Sequence, residues 1–163
     1  NLKNFHRPVI ETEIGYRVAT HVSSEVNANT VMGHIGSILP VFEIADPAFA
    51  ASETRTGADL VAINSAAAAF VTGEPIEWSD DLDIISVIMS RNNERLSEGC
   101  ATDAMGGQIT ALCWLINKVL KCGYTLEPGH LLITGALGGP QPGLPGVYLG
   151  DYGDFGRVEI ELR

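Results

Sequence analysis

The stretch Val9-Ile10-Glu11-Thr12-Glu13-Ile14 constrains the fold more than any other part of the chain. On a β-strand, side chains alternate faces with a period of two. Ile10, Thr12 and Ile14 therefore point into a core, and Glu11 and Glu13 share the opposite face. Two neighbouring carboxylates repel each other and lose hydration if covered, so they need a shared proton, a cationic partner or a metal ion. A strand-borne pair of this kind is also a common feature of a solvated face, and the spacing alone leaves both readings open. Further along, Pro40-Val41-Phe42-Glu43-Ile44-Ala45-Asp46 sets a third carboxylate, Glu43, inside an apolar run. Three carboxylates offering only oxygen suit a hard divalent cation, Mg²⁺ or Mn²⁺, with positions left for water or substrate.

The 163 residues suit a single domain over 1–163, and 45% hydrophobic content supplies a sizeable core. A formal net charge of −10 makes nucleic acid and anionic membrane surfaces poor partners. Cys100, Cys113 and Cys122 are odd in number and lack Cys-x-x-Cys spacing, so they read as buried free thiols in a reducing compartment. No apolar run reaches the roughly 18 residues of a membrane span, and no signal-peptide pattern opens the chain. A cytoplasmic protein is expected. The first residue is Asn1 rather than Met, which suggests a processed product or a fragment.

Hydrophobic period and turn chemistry order the rest. A first strand is expected over about 9–20, then a polar loop. A short helix capped by Thr30 is expected to carry Val31, Ile35 and Ile38 and to end at Pro40, with a buried strand over 41–46. Residues 47–56 read as a loop, 57–62 as a helical turn, and the second half of 64–71 as a strand. Residues 82–90 read as a strand covered on both faces, turning at Asn92-Asn93 into a returning strand over 94–99. The clearest helix runs from Gln108 to Lys121, with Leu112, Leu115, Ile116 and Val119 in one stripe and Gly123 beyond its end. A short strand over 131–133 opens onto Thr134-Gly135-Ala136-Leu137, and 157–162 alternates as a final edge strand. The sum is an α+β, mostly-β fold with a mixed sheet and one main packed helix.

The Gly-rich stretch 135–150 fails as a phosphate loop: no Gly-Lys-Ser/Thr follows, and Pro140, Pro142 and Pro145 remove amide donors. It reads as a turn-rich loop, either ordinary or at a site's rim, where amides around Gly135, Ala136 and Leu137 would hold a substrate carboxylate. Asp151-Tyr152-Gly153-Asp154 lacks the EF-hand pattern, and no Ser or Cys sits in a nucleophile elbow.

Taken together, Glu11-x-Glu13, Pro40-x-x-Glu43-Ile44-x-Asp46, Asn64 before Phe70-Val71-x-Gly73, and Gly129-x-x-Leu132-x-Thr134-Gly135-Ala136-Leu137 resemble the hydratase/decarboxylase family. That family includes 2-oxopent-4-enoate hydratase and 4-oxalocrotonate decarboxylase, within the fumarylacetoacetate hydrolase-like superfamily. The resemblance implies a β-sheet roll or barrel of the fumarylacetoacetate hydrolase C-terminal type. It implies a divalent cation held by Glu11, Glu13 and Glu43 that chelates the 1-carboxylate and 2-oxygen of a 2-hydroxy-dienoate or of its 2-oxo tautomer. Thr134, Gly135 and Ala136 would contact the acid, and Asp46 and Asn64 would stand behind the metal or in the pocket. The implied activity is a hydratase or decarboxylase of aromatic meta-cleavage catabolism, in a homo-oligomer or with a companion chain. Members of the family are longer at the N-terminus, where their acid/base lysine lies; Lys3, Lys118 and Lys121 do not match that motif. Ala62-Ile63-Asn64 stands where the family often has Ala-Asp-Asn, and His130 where it often has Asp. Two other readings follow: a C–C hydrolase of the fumarylacetoacetate type, disfavoured because no Asp-x-Ser-Ala-Arg stretch is present, and a non-catalytic or incomplete subunit.

Overall fold

A computed structural model describes residues 1–47, 56–77 and 81–163. Its longest ladder pairs β1 (Val9–Val18) with β2 (Ile35–Ala45) over ten residue pairs. β3 (Ala67–Thr72) extends the sheet beyond β2; β6 (Leu131–Ile133) and the short β7 (Gln141–Pro142) both pair with β1. A second sheet has the order β5 (Glu94–Cys100), β4 (Ser86–Arg91), β8 (Gly146–Asp151), β9 (Arg157–Leu162). The expected mixed sheet thus resolves into two sheets in which every described pairing is antiparallel. The main helix, α2 (Gln108–Lys121), follows β5, and a six-residue helix, α1 (Gly57–Ala62), precedes β3.

One core joins these layers. Ile10, Ile14 and Phe42 from the first sheet meet Met89, Tyr148 and Val158 from the second, with Leu112 and Ile116 of α2 in the same cluster. Burying side chains of this size contributes about 1.5–3 kcal/mol each. Gly150 on β8 leaves room for the Phe42 ring: a Cβ there would lie 3.2 Å from Cζ. At the head of α2, Gly107 has no side chain to cap the helix, so Asp83 accepts the Gln108 amide at 2.8 Å instead. At its tail, Gly123 takes φ +84° and donates its amide to the Leu120 carbonyl.

Several elements differ from the sequence reading. The helix expected from Thr30 to Ile38 is one 3₁₀ turn, Val31–His34, after which Ile35 enters β2. Gly33 and Gly36 weaken a helix there, and the strand lets Ile38 be buried completely. Pro40 lies inside β2 rather than ending a helix. Its carbonyl accepts the Gly73 amide beyond the end of β3, so its missing N–H falls on that side and the ladder with β1 loses no donor. The strand expected from residue 82 begins at Ser86, and its faces differ: Val87 and Met89 are buried, Ile88 is exposed. Asn92 and Asn93, with φ 50° and 68°, make the expected hairpin turn. The stretch 135–150 contains β7 and most of β8, masked in the sequence by Pro145, Gly146 and Gly150. None of the three cysteines is fully buried; all three are free. The expected loop at 47–56 falls largely on residues 48–55, outside the described residues. Among the described residues no helix is long and apolar enough to cross a membrane.

Candidate metal and substrate site

The β1–β2 register decides what the carboxylates do. It sets Glu11 directly opposite Glu43, and Glu13 opposite Val41. Opposed residues of an antiparallel pair share a face, and positions two apart on one strand do as well. All three carboxylates therefore converge, with ligand oxygens within 4.8 Å of one another. The face is not a solvated one: Glu13 is 2% exposed, and Glu11 and Glu43 are half-buried. Like charges directly across a ladder destabilise it. Among the described residues, no lysine, arginine or histidine forms an ion pair with any of the three.

The electrostatic consequence is concentrated on Glu13. Burial pushes its carboxyl up to about 8; the Gly135 amide, donating to Oε2 at 2.7 Å, opposes this, and Glu43 and Glu11 add to it. Burial and then the Glu43 charge also raise Glu11. Gly135 reaches Glu13 with φ +115°, a conformation open to glycine and strained for other residues. From behind, the buried Tyr152 hydroxyl lies 2.9 Å from the Glu13 carbonyl and 3.1 Å from that of Val41, sharing its proton between them. It ties the second sheet to the backbone pair that carries the site.

A cavity of about 490 Å³ opens beside the carboxylates. Glu13, Glu43, Asn64, Thr134 and Gly135 give it a polar side; Met105, Trp114, Leu115 and Ile133 give it an apolar one. A neighbouring hollow of about 450 Å³ shares Glu43 and runs along β3 to Phe70. Asn64, Ser65 and Ala66 hold φ of 55°, 53° and 60°, three successive left-handed residues that bring Asn64 and Ser65 to the cavity rim.

The structure brings together Glu11, Glu13, Glu43, Asn64, Thr134 and Gly135 of the residues singled out in the sequence. It places Asp46 elsewhere. The Asp46 carboxylate accepts the His6 and Arg7 amides at 2.8 and 2.7 Å, which holds it below the usual carboxylate range and ties down the N-terminal lead-in. Ala136 is half-buried beside the site and is not among the residues lining either hollow. Two of the amides expected to hold a substrate carboxylate are already engaged. Gly135 donates to Glu13 and Leu137 to the Thr12 carbonyl, because the segment after β6 closes onto β1. Lys118 and Lys121 end α2 as expected, and Lys121 pairs with Glu25. Sequence reasoning missed Gln108 and Tyr16, which stand behind Thr134, as well as Tyr152 and the wall residues Met105 and Trp114. Their partners are distant in sequence; the one local signal was a glutamine opening an otherwise apolar helix face.

A model of the fumarylacetoacetate hydrolase C-terminal family matches residues 3–162. A 2-keto-4-pentenoate hydratase of Paraburkholderia xenovorans is 29% identical over 140 residues, 84% of this chain and 52% of the relative. A 4-oxalocrotonate decarboxylase of Pseudomonas sp. is 24% identical over 136 residues, 83% of this chain and 53% of that protein. The chain thus spans about half the length of the curated relatives it matches. The structure of 4-oxalocrotonate decarboxylase from Pseudomonas putida G7, complexed with magnesium and adipate, superposes with a TM-score of 0.88 at 22% identity. The match covers 97% of this chain and 61% of that one, and at this identity it establishes a shared fold.

Proposed function

The chain belongs to the fumarylacetoacetate hydrolase C-terminal family, and from that premise we propose that it is the metal-holding catalytic part of a lyase acting on 2-hydroxy-2,4-dienoates. The reaction is hydration or decarboxylation, in the catabolism of aromatic ring-cleavage products. The observation that carries this reading is the convergence of three carboxylates, one of them buried, with no cationic side chain paired to them among the described residues. An all-oxygen donor set fits a hard divalent ion, Mg²⁺ or Mn²⁺.

Glu11, Glu13 and Glu43 would hold the ion. When bound, it supplies Lewis-acid stabilisation of the negative charge that develops on the substrate's 2-oxygen. The chain's own residues set the conditions for that chemistry. Glu13 gives up the proton that its burial favours, so loading strengthens as pH rises. The Gly135 amide fixes the orientation of the Glu13 carboxylate. Asn64 and Thr134 face the bound acid, and the wall formed by Met105, Trp114 and Leu115 takes its hydrocarbon part and excludes water. The cavity lining holds no lysine or histidine among the described residues, so the acid/base group that moves the proton would come from outside it.

Isothermal titration of Mg²⁺ into the purified chain tests the reading. Saturable binding in the wild type that is lost in a Glu11→Ala/Glu13→Ala variant supports it; equal heats in both refute it.

A further inference from the structure

Gln108, the first residue of α2, is completely buried, and both ends of its side-chain amide are spoken for. Nε2 donates to the Ala101 carbonyl at 2.8 Å. A flipped amide would set oxygen against that carbonyl, acceptor against acceptor, so Oε1 must face the other way. There it meets the hydroxyls of Tyr16 and Thr134, both at 2.8 Å. An amide oxygen offers only lone pairs, so both hydroxyls donate, and each has a single proton to give. The Thr134 proton is spent inside the protein while Thr134 lines the cavity beside Glu13 and Gly135. Its oxygen presents only lone pairs to whatever enters.

We propose that Gln108 is a positioning residue that commits the Thr134 hydroxyl to accept, so that the site favours a ligand donating a hydrogen bond there: an enol or 2-hydroxy acid over the corresponding 2-oxo acid. This rests on the reading of the cavity as a site for acids oxygenated at carbon 2. A 2-hydroxyl donates to Thr134, whereas a 2-oxo group would oppose acceptor to acceptor and leave that bond unmade. An unmade bond of this kind changes affinity by about tenfold. The Gly135 amide, already held by Glu13, offers the 2-oxo group no replacement donor.

The test is isothermal titration of the full chain with 2-hydroxypentanoate and with 2-oxopentanoate, with Mg²⁺ present and with Mg²⁺ omitted. The quantity read is the ratio of the two dissociation constants. Gln108→Met frees the Thr134 proton, and Thr134→Val removes the acceptor; each should move the ratio toward the 2-oxo acid by about tenfold. Thr134→Ser should restore the wild-type ratio. Tyr16→Phe loosens the same buried network without touching the Thr134 bond, so it should lower Tm and leave the ratio alone, which separates positioning from general stability. Should Gln108→Met fail to fold, the Thr134 pair decides alone. An unchanged ratio in the substituted proteins overturns the proposal, as does binding of neither acid. Mg²⁺ binding that is lost in Glu11→Ala/Glu13→Ala, with an unchanged ratio, keeps the metal reading and sinks this one. A ratio that moves as expected with no Mg²⁺ effect does the reverse.

Discussion

Replacing Glu13 with Gln should stabilise the metal-free protein at high pH and abolish its response to metal. The substitution keeps shape: Oε1 can still accept the Gly135 amide, and the new amide nitrogen can donate to Glu43. What it removes is a charge. The Glu13 carboxyl titrates at about 8 against an ordinary 4.5, so between these values the folded state holds a proton that the unfolded state has lost. Stability of the metal-free wild type therefore falls as pH rises through that window. At about 1.4 kcal/mol per pH unit the gap sets a ceiling of about 5 kcal/mol; relaxation and water entry around the cluster bring the expected gain at pH 9 to about 2 kcal/mol. For a chain of this size that is a rise in Tm of about 5 °C. At pH 4, where position 13 is neutral in both folded proteins and mostly so in the unfolded wild type, the two should agree within about 0.5 kcal/mol. With Mg²⁺ at one hundred times its dissociation constant the order should reverse, since the wild type gains about 2.7 kcal/mol and the variant gains nothing. Thermal melts at pH 4 and pH 9, with Mg²⁺ and with chelator, measure all of this. An equal effect at both pH values, or equal protection of both proteins by Mg²⁺, would refute the reasoning.

Three further outcomes follow. Gly135→Ala places a side chain at φ +115°; it should cost about 1–3 kcal/mol in chemical denaturation and weaken Mg²⁺ binding as the amide leaves Glu13. Tyr152→Phe removes the donor shared by the Glu13 and Val41 carbonyls; it should cost about 1–3 kcal/mol in the same assay. Leu112→Ala empties a fully buried position on α2 and should cost about 2–5 kcal/mol, while leaving Mg²⁺ affinity unchanged where the protein remains folded.

Local pattern was enough wherever one rule acted alone. The alternation from Val9 to Ile14 made a strand, the stripe on 108–121 made a helix with the expected bounds, and Asn92-Asn93 made a hairpin. It failed where tertiary pairing overrode propensity. Ile35 and Ile38 have helical spacing, yet β1 recruits them into β2, and Pro40 is tolerated in a central strand because of the side its nitrogen faces. β8 was hidden because Gly150 makes room for the Phe42 ring and Gly146 lies close against Asn92, reasons no neighbouring residue reveals. At the site, the sequence could put Glu11 and Glu13 on one face, but only register puts Glu43 opposite Glu11. Asp46, three residues beyond Glu43, faces the His6 and Arg7 amides instead. The network of Tyr16, Gln108 and Thr134 joins β1, the start of α2 and the end of β6, so no spacing in the chain announces it.

The most direct test of the central idea is to count Mn²⁺ bound per chain by following the paramagnetic resonance of the free ion. One ion bound to the wild type, and none to single Glu→Gln variants at positions 11, 13 and 43 that keep the wild-type circular dichroism, is the expected result. Undiminished Mn²⁺ binding when all three glutamates are replaced would contradict the account.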